Sequence, residues 1–293
     1  MALQVRGRET DLGDGFRVNR LLPSAACRSV GPFVFLDHFG PTSVGPATNI
    51  DVRPHPHIGL ATVTYLCEGA MLHRDSLGSV QRIEPGAINW MSAGRGIVHS
   101  ERRPADLRQG IYRLHGLQLW VALPPDMEES EPSFVHTPAV QLPRLAEQGV
   151  DVRVLVGAAF GRKSPVRTAS ATLLIALELG RGAQLELPHL APEVAVLPLA
   201  GDLDVDGERL PRGALAVLEP ATGVTLHSDD AGEVVILGGD ALDGPRHMWW
   251  NFVSSRKERI EQAANDWEQQ RMGSIAGEAD VIGLPARRPV LSP

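Results

Sequence analysis

Pro54-His55-Pro56-His57-Ile58-Gly59 is answered further along the chain by Gly94-Arg95-Gly96-Ile97-Val98-His99-Ser100-Glu101. In each half the ligand-type residues stand two apart: His55 and His57, then His99 and Glu101. On a β-strand, residues i and i+2 project from the same face. Two such strands meeting across a small barrel aim three imidazoles and one carboxylate at a common point. Three nitrogens and a hard oxygen suit iron, manganese, copper or nickel as much as zinc. His55, His57, His99 and Glu101 are therefore the expected metal ligands.

The surrounding chain supports a barrel. Ala61-Thr62-Val63-Thr64-Tyr65-Leu66 is rich in β-branched residues and runs into Glu68-Gly69, a strand-and-turn pattern. Val80 to Ile83, Pro85-Gly86 and Ala87 to Met91 make another hairpin. Tyr112 to Val121 alternates, with Leu114, Gly116, Gln118 and Trp120 on one face and His115, Leu117, Leu119 and Val121 on the other. Pro32 to Leu36 is apolar throughout and should be buried, ending in a turn over Asp37-His38-Phe39-Gly40-Pro41. His38 is expected to cap that turn rather than to approach the metal. His73 and Asp75 allow two readings, orientation of a ligand histidine or satisfaction of turn backbone, with the turn favoured.

These residues resemble the pirin family of the cupin superfamily. The similarity is carried by Arg53 through Gly59, by His73-Arg74-Asp75-Ser76-Leu77-Gly78, and by Asn89-Trp90 leading into Gly94 through Glu101. The position where most cupins place a glutamate ligand falls near Ala61-Thr62. The resemblance implies that Glu101 takes that role. It also implies an all-β fold of two tandem cupin domains, each an antiparallel β-barrel or jelly roll, with a short C-terminal helix. Residues 1–130 are expected to form the metal-binding domain, and residues 131–293 a degenerate cupin domain with the helix and tail. The proline- and acid-rich segment Pro124 to Pro132 reads as the connector.

The second half repeats the first in worn form. Setting Gly201 against Gly69 lays Leu187-Pro188-His189 on His55-Pro56-His57, and brings His227-Ser228-Asp229 within one residue of His99-Ser100-Glu101. With Leu187 in a ligand's place, one divalent metal ion per chain is expected. Fe(II) comes first, with Mn, Cu, Ni, Co or Zn behind it. Further on, Ile260, Ala263, Ala264 and Trp267 have helical spacing, and Ser255 and Glu258 have capping-box spacing. Trp249 and Trp250 are expected to anchor that helix rather than to stack on a substrate.

Composition sets outer limits. Of 293 residues 43% are hydrophobic and 22% charged, so the chain can fold around its own core. The net charge of −7 provides no pull toward nucleic acid, and no apolar run spans a bilayer. Cys27 and Cys67 are expected to be free thiols in a cytoplasmic monomer. The resemblance implies a metal-dependent dioxygenase of quercetinase type, with a small aromatic substrate, dioxygen, and Glu101 as the catalytic base. The alternative it carries is a non-enzymatic metal or redox sensor that binds a protein partner.

Overall fold

The computed structural model describes residues 3–12, 16–219 and 223–286. Strands dominate, and one α-helix, Lys257–Glu268, stands near the C-terminal end. Among the described residues no helix is long and apolar enough to cross a membrane.

The chain divides into two compact units. One comprises residues 11–16, 39–136 and 243–293 and is called the histidine unit below. The other, the aliphatic unit, comprises residues 1–10, 17–38 and 137–242. A single cut near residue 130 therefore does not describe the division, because each unit takes pieces from both sides of it. Pro124 to Pro132, expected as the connector, falls within the histidine unit. Glu128 is buried there, accepting hydrogen bonds from Ser254 Oγ (2.8 Å) and the Ser255 amide (2.7 Å).

In the histidine unit one antiparallel sheet runs in the order Ser133–Thr137, Ile88–Ser92, Leu60–Glu68, Tyr112–Ala122 and the second half of Phe33–Val44. A second sheet has the order Val52–His57, Ile97–Arg102, Met71–Asp75, Val80–Ile83. The aliphatic unit repeats both. Its larger sheet contains Leu3–Arg6, Ala214–Val217, Glu193–Ala200, Gly232–Gly239, Thr172–Leu179, Val150–Val156 and Arg144–Glu147. Its smaller sheet has the order Ala183–Leu187, Val224–Ser228, Leu203–Val205, Glu208–Leu210. The all-β fold of two cupin domains is thus what the chain adopts.

Three local expectations change. The turn expected at Asp37 to Pro41 is the middle of a strand, Phe33–Val44. Gly40 has φ +79°, and a Cβ there would strike the Leu114 carbonyl. Glycine lets the neighbouring strand come close; it does not reverse the chain. The capping box does not form, because helix Lys257–Glu268 begins at Arg256 without a side-chain cap. Ser255 Oγ is engaged by Glu128 Oε2 (3.1 Å), so it is not free to cap. Finally, Leu187 lies opposite Val224 as His57 lies opposite Ile97. The two halves therefore match two residues away from the alignment that put Leu187 on His55.

The helix buries Ile260, Ala263, Ala264 and Trp267 against Ile58, Val98 and Phe252, with Trp249 and Trp250 packed alongside. The two tryptophans anchor the helix, as expected. Past it, Glu278 accepts from Arg102 Nη2 (2.6 Å), Ser100 Oγ (2.8 Å) and Arg74 Nη1 (3.3 Å), tying the tail to the strands that carry the histidines. Cys27 and Cys67 are not joined in a disulfide.

Candidate metal centre

Antiparallel pairing builds the site. His99 lies directly across from His55, and Ile97 across from His57. On its other side the same strand sets His99 opposite Asp75 and Glu101 opposite His73. Directly paired residues share a face, so six polar side chains, His55, His57, His73, Asp75, His99 and Glu101, converge on the interior. Gly59 lies between this strand and the next with φ +66°, and a Cβ there would meet the Val253 carbonyl, which holds this corner tightly.

One ring nitrogen from each of His55, His57 and His99 lies within 4.8 Å of the others, and all three residues are buried. Their ring centroids stand 4.4 to 5.0 Å apart. Hydrogen bonds decide which nitrogen is available. His55 Nδ1 donates to the Arg53 carbonyl (2.8 Å), and His57 Nδ1 donates to the Asn251 carbonyl (3.0 Å). A carbonyl can only accept, so a neutral ring so bonded keeps its lone pair on Nε2. His57 Nε2 and His99 Nε2 are then only 3.1 Å apart. The His57 lone pair therefore faces His99 Nε2, and either a proton on His99 or a cation must lie between the two nitrogens. The donor set therefore fits a divalent metal ion.

Electrostatics agree. Burial pushes His55 down to about 4, opposed by its bond to the Arg53 carbonyl. Burial, reinforced by the neighbouring imidazoles, holds His57 and His99 well below the ordinary histidine value. All three rings are neutral at neutral pH, the form that binds metal.

Glu101 is buried on the same strand, but its carboxylate stands outside the group of three nitrogens. Burial raises its pKa, against the lowering effects of the nearby His73 ring and the Thr64 hydrogen bond. Thr64 Oγ1 sits 3.3 Å from Glu101 Oε1 and 2.9 Å from Gln118 Oε1. Thr64 pairs with Gln118 on one side and Asn89 on the other, making a polar row across the larger sheet. Asn89 Oδ1 bonds His136 Nδ1 (2.7 Å), while its buried Nδ2 has no hydrogen-bond partner. Trp120 meets His57 edge-on, with centroids 5.2 Å apart.

His73 and Asp75 join the site as well as the turn. Asp75 Oδ1 accepts from the amides of Leu77 (2.9 Å) and Ser79 (3.0 Å), as the turn reading expects. Its Oδ2 meets His73 Nε2 at 3.0 Å, and His73 Nδ1 lies 3.4 Å from His99 Nδ1. His38 is buried in the aliphatic unit's share of its strand. Asn251 had no signal in sequence, since it acts through a carbonyl. Gln118 had one, as a lone amide on the same face as Leu114 and Trp120.

Comparison with known proteins identifies the family. Residues 15–121 match the family model described as Pirin, and residues 174–273 that of the Pirin C-terminal cupin domain. A pirin-like protein of Caulobacter vibrioides is 47% identical over 268 residues, covering 90% of this chain and 92% of the relative. The chain belongs to the pirin family. Human pirin is 31% identical, with 93% of each chain covered. A crystal structure of quercetin 2,3-dioxygenase from Acinetobacter baumannii superposes with a TM-score of 0.92 at 32% identity, covering 99% of this pirin and 97% of that chain.

Proposed function

We propose that this pirin is a metal-dependent dioxygenase of quercetinase type, which opens a flavonol or a similar enolic aromatic with dioxygen. The observation that carries the reading is the convergence of three neutral imidazoles, two of them with Nδ1 held by carbonyls, beside a buried carboxyl group. The likeness to the Acinetobacter quercetin 2,3-dioxygenase supports the choice of substrate class.

His55, His57 and His99 would hold the ion through Nε2, with Glu101 on the same strand as His99 as the fourth donor. Fe(II) is the first candidate, and the donor set also accommodates Mn, Ni, Co, Cu or Zn. A bound ion would supply Lewis acidity, lowering the pKa of an enolic hydroxyl of the substrate. Glu101 accepts that hydroxyl's proton. Its raised pKa suits a base that must both take up and release a proton. Thr64 stands within hydrogen-bond reach of the carboxylate, and the unpartnered Asn89 amide offers a donor to a substrate oxygen along the same row. Met91, Ala93 and Ile97 form an apolar cluster with Phe134, whose ring stacks on His73.

The test is flavonol-dependent oxygen uptake by protein whose metal content has been measured and whose metal has been varied. Turnover that tracks metal content supports the reading. Fully loaded protein that consumes no oxygen with any of several flavonols sinks it, and favours a sensor that binds a protein partner.

A further inference from the structure

We propose that Asp75 and His73 are positioning residues, a buried chain that fixes the tautomer and ring orientation of His99. The inference rests on the reading of His99 as a metal ligand, and it concerns two residues that bind neither metal nor substrate.

The argument is a count of protons. His73 Nδ1 and His99 Nδ1 face each other at 3.4 Å, and only one hydrogen can occupy the space between them. In one arrangement His99 donates, which leaves its Nε2 bare for a metal. In the other His73 donates, and a neutral His99 then carries its proton on Nε2, where no metal can bind. The choice is made at the far end of His73. Its Nε2 lies 3.0 Å from Asp75 Oδ2. A carboxylate accepts, so His73 Nε2 must carry hydrogen. A neutral His73 then has only a lone pair on Nδ1, and His99 must be the donor.

Each link is held in place. Asp75 is anchored through its other oxygen by the Leu77 and Ser79 amides. Burial raises its pKa, but the hydrogen bonds from His73 and Ser79 outweigh that and keep the carboxyl below its ordinary value. The His73 ring stacks on Phe134, with centroids 4.1 Å apart and planes 8° from parallel. His73, Asp75 and His99 are each no more than 3% exposed, so water does not compete for these bonds. His55 and His57 use backbone carbonyls for the same purpose. His99 alone depends on a side chain, which in turn needs a carboxylate to define its polarity.

The decisive variant is Asp75→Asn. It keeps size and an oxygen for the two turn amides, but presents NH2 to His73 Nε2. The chain should then reverse: His73 accepts at Nε2, donates from Nδ1, and forces the proton of His99 onto Nε2. Two readouts apply to the full-length protein. In metal-free, ¹⁵N-histidine-labelled samples, His99 should change from the Nδ1–H to the Nε2–H form, with His55 and His57 unchanged. Nickel(II) affinity, measured by competition with a chelator, should fall ~10–100-fold, the usual effect of removing such a supporting bond. His73→Phe keeps the stack on Phe134 and should weaken binding similarly, and His73→Asn should recover part of it, since its amide oxygen stands near the place of Nδ1. If Asp75→Asn leaves both the His99 tautomer and the nickel affinity unchanged, the proposal is overturned. Should His73→Phe fail to fold, Asp75→Asn and His73→Asn decide the matter by the same readouts. If the wild type binds no metal, the metal-centre reading falls, and the tautomer measurement still judges the chain.

Discussion

The two units carry the same strand plan and opposite interiors. Matched through their ladders, His55 and His57 correspond to Leu185 and Leu187, because His57 faces Ile97 as Leu187 faces Val224. His99 then corresponds to Leu226, and Glu101 to Ser228. On the next strand Asp75, opposite His99, corresponds to Val205, opposite Leu226, and His73 to Leu203. Five of these six positions have become aliphatic. Leu187, Leu203, Val205 and Leu226 are buried within one core with Val224 and Leu210, and Leu185 packs against it. Meanwhile His189 is exposed beyond its strand, and His227 lies on the outer face near Asp229, at 3.9 Å. The fold needs that interior filled, and either chemistry fills it. An aliphatic filling stabilises by burial, whereas a polar one must satisfy every group by hydrogen bonds or metal.

The largest effect expected from breaking this asymmetry is loss of the metal. His57→Ala removes a ligand and should empty the site, while His189→Ala and His227→Ala should leave metal content at the wild-type level. Elemental analysis after desalting reads all three. Metal lost on changing His227 would mean that the aliphatic unit also holds an ion.

Next comes Glu101→Gln, which keeps size and an oxygen donor but removes charge and basicity. We expect appreciable metal to remain while flavonol turnover falls ~10²–10⁴-fold, the usual contribution of a general base. Full turnover by a metal-replete variant would show that Glu101 is not the base.

Much of the histidine unit was legible because its chemistry is written at strand period. The i, i+2 spacing of His55 and His57 and of His99 and Glu101 put them on one face before any pairing was known. The helix stripe Ile260, Ala263, Ala264 and Trp267 was legible for the equivalent reason at period 3.6. The match between the halves was harder. Leucine and valine at worn ligand positions look like any strand core, so the surviving histidines, His189 and His227, drew the alignment to themselves. Strand side chains alternate, and a shift of one residue carries a side chain from the core to solvent. His227 is outside for that reason, and Leu226 is inside. Contacts made through backbone carbonyls, such as Asn251 to His57, leave no mark on residue identity at all.

The aliphatic interior can be tested directly. Leu226 is fully buried, and Leu226→Ala leaves a cavity where His99 stands in the other unit. Such a truncation costs ~2–5 kcal/mol. Denaturant melts should show that loss with metal content unchanged. A loss below about 1 kcal/mol, under the range for buried leucines, would mean that this core collapses freely.

The smallest expected effect is a difference in acid sensitivity between the two interiors in the metal-free protein. Burial holds His55 at about 4, and His57 and His99 well below the ordinary value. In the unfolded chain a histidine titrates near ~6.5. As pH falls through that value the unfolded state takes up protons that the folded state refuses, so stability declines from ~6.5 downward. Glu101 acts with the opposite sign. Its raised folded pKa gives stability that is full below its unfolded value of ~4.3 and is lost as pH rises through the folded one. Three histidines outweigh one carboxyl between pH 6.5 and 5, with a ceiling of ~1.4 kcal/mol per pH unit for each ring. Their counterparts Leu185, Leu187 and Leu226 do not titrate. Hydrogen exchange on metal-free protein moved from pH 7 to pH 5, corrected for the intrinsic rate, should therefore lose protection over 52–57 and 97–102 before 183–187 and 224–228. Equal loss in both sets of strands would show that the polar interior is no more acid-labile than the aliphatic one, and that its imidazoles are not held neutral by burial.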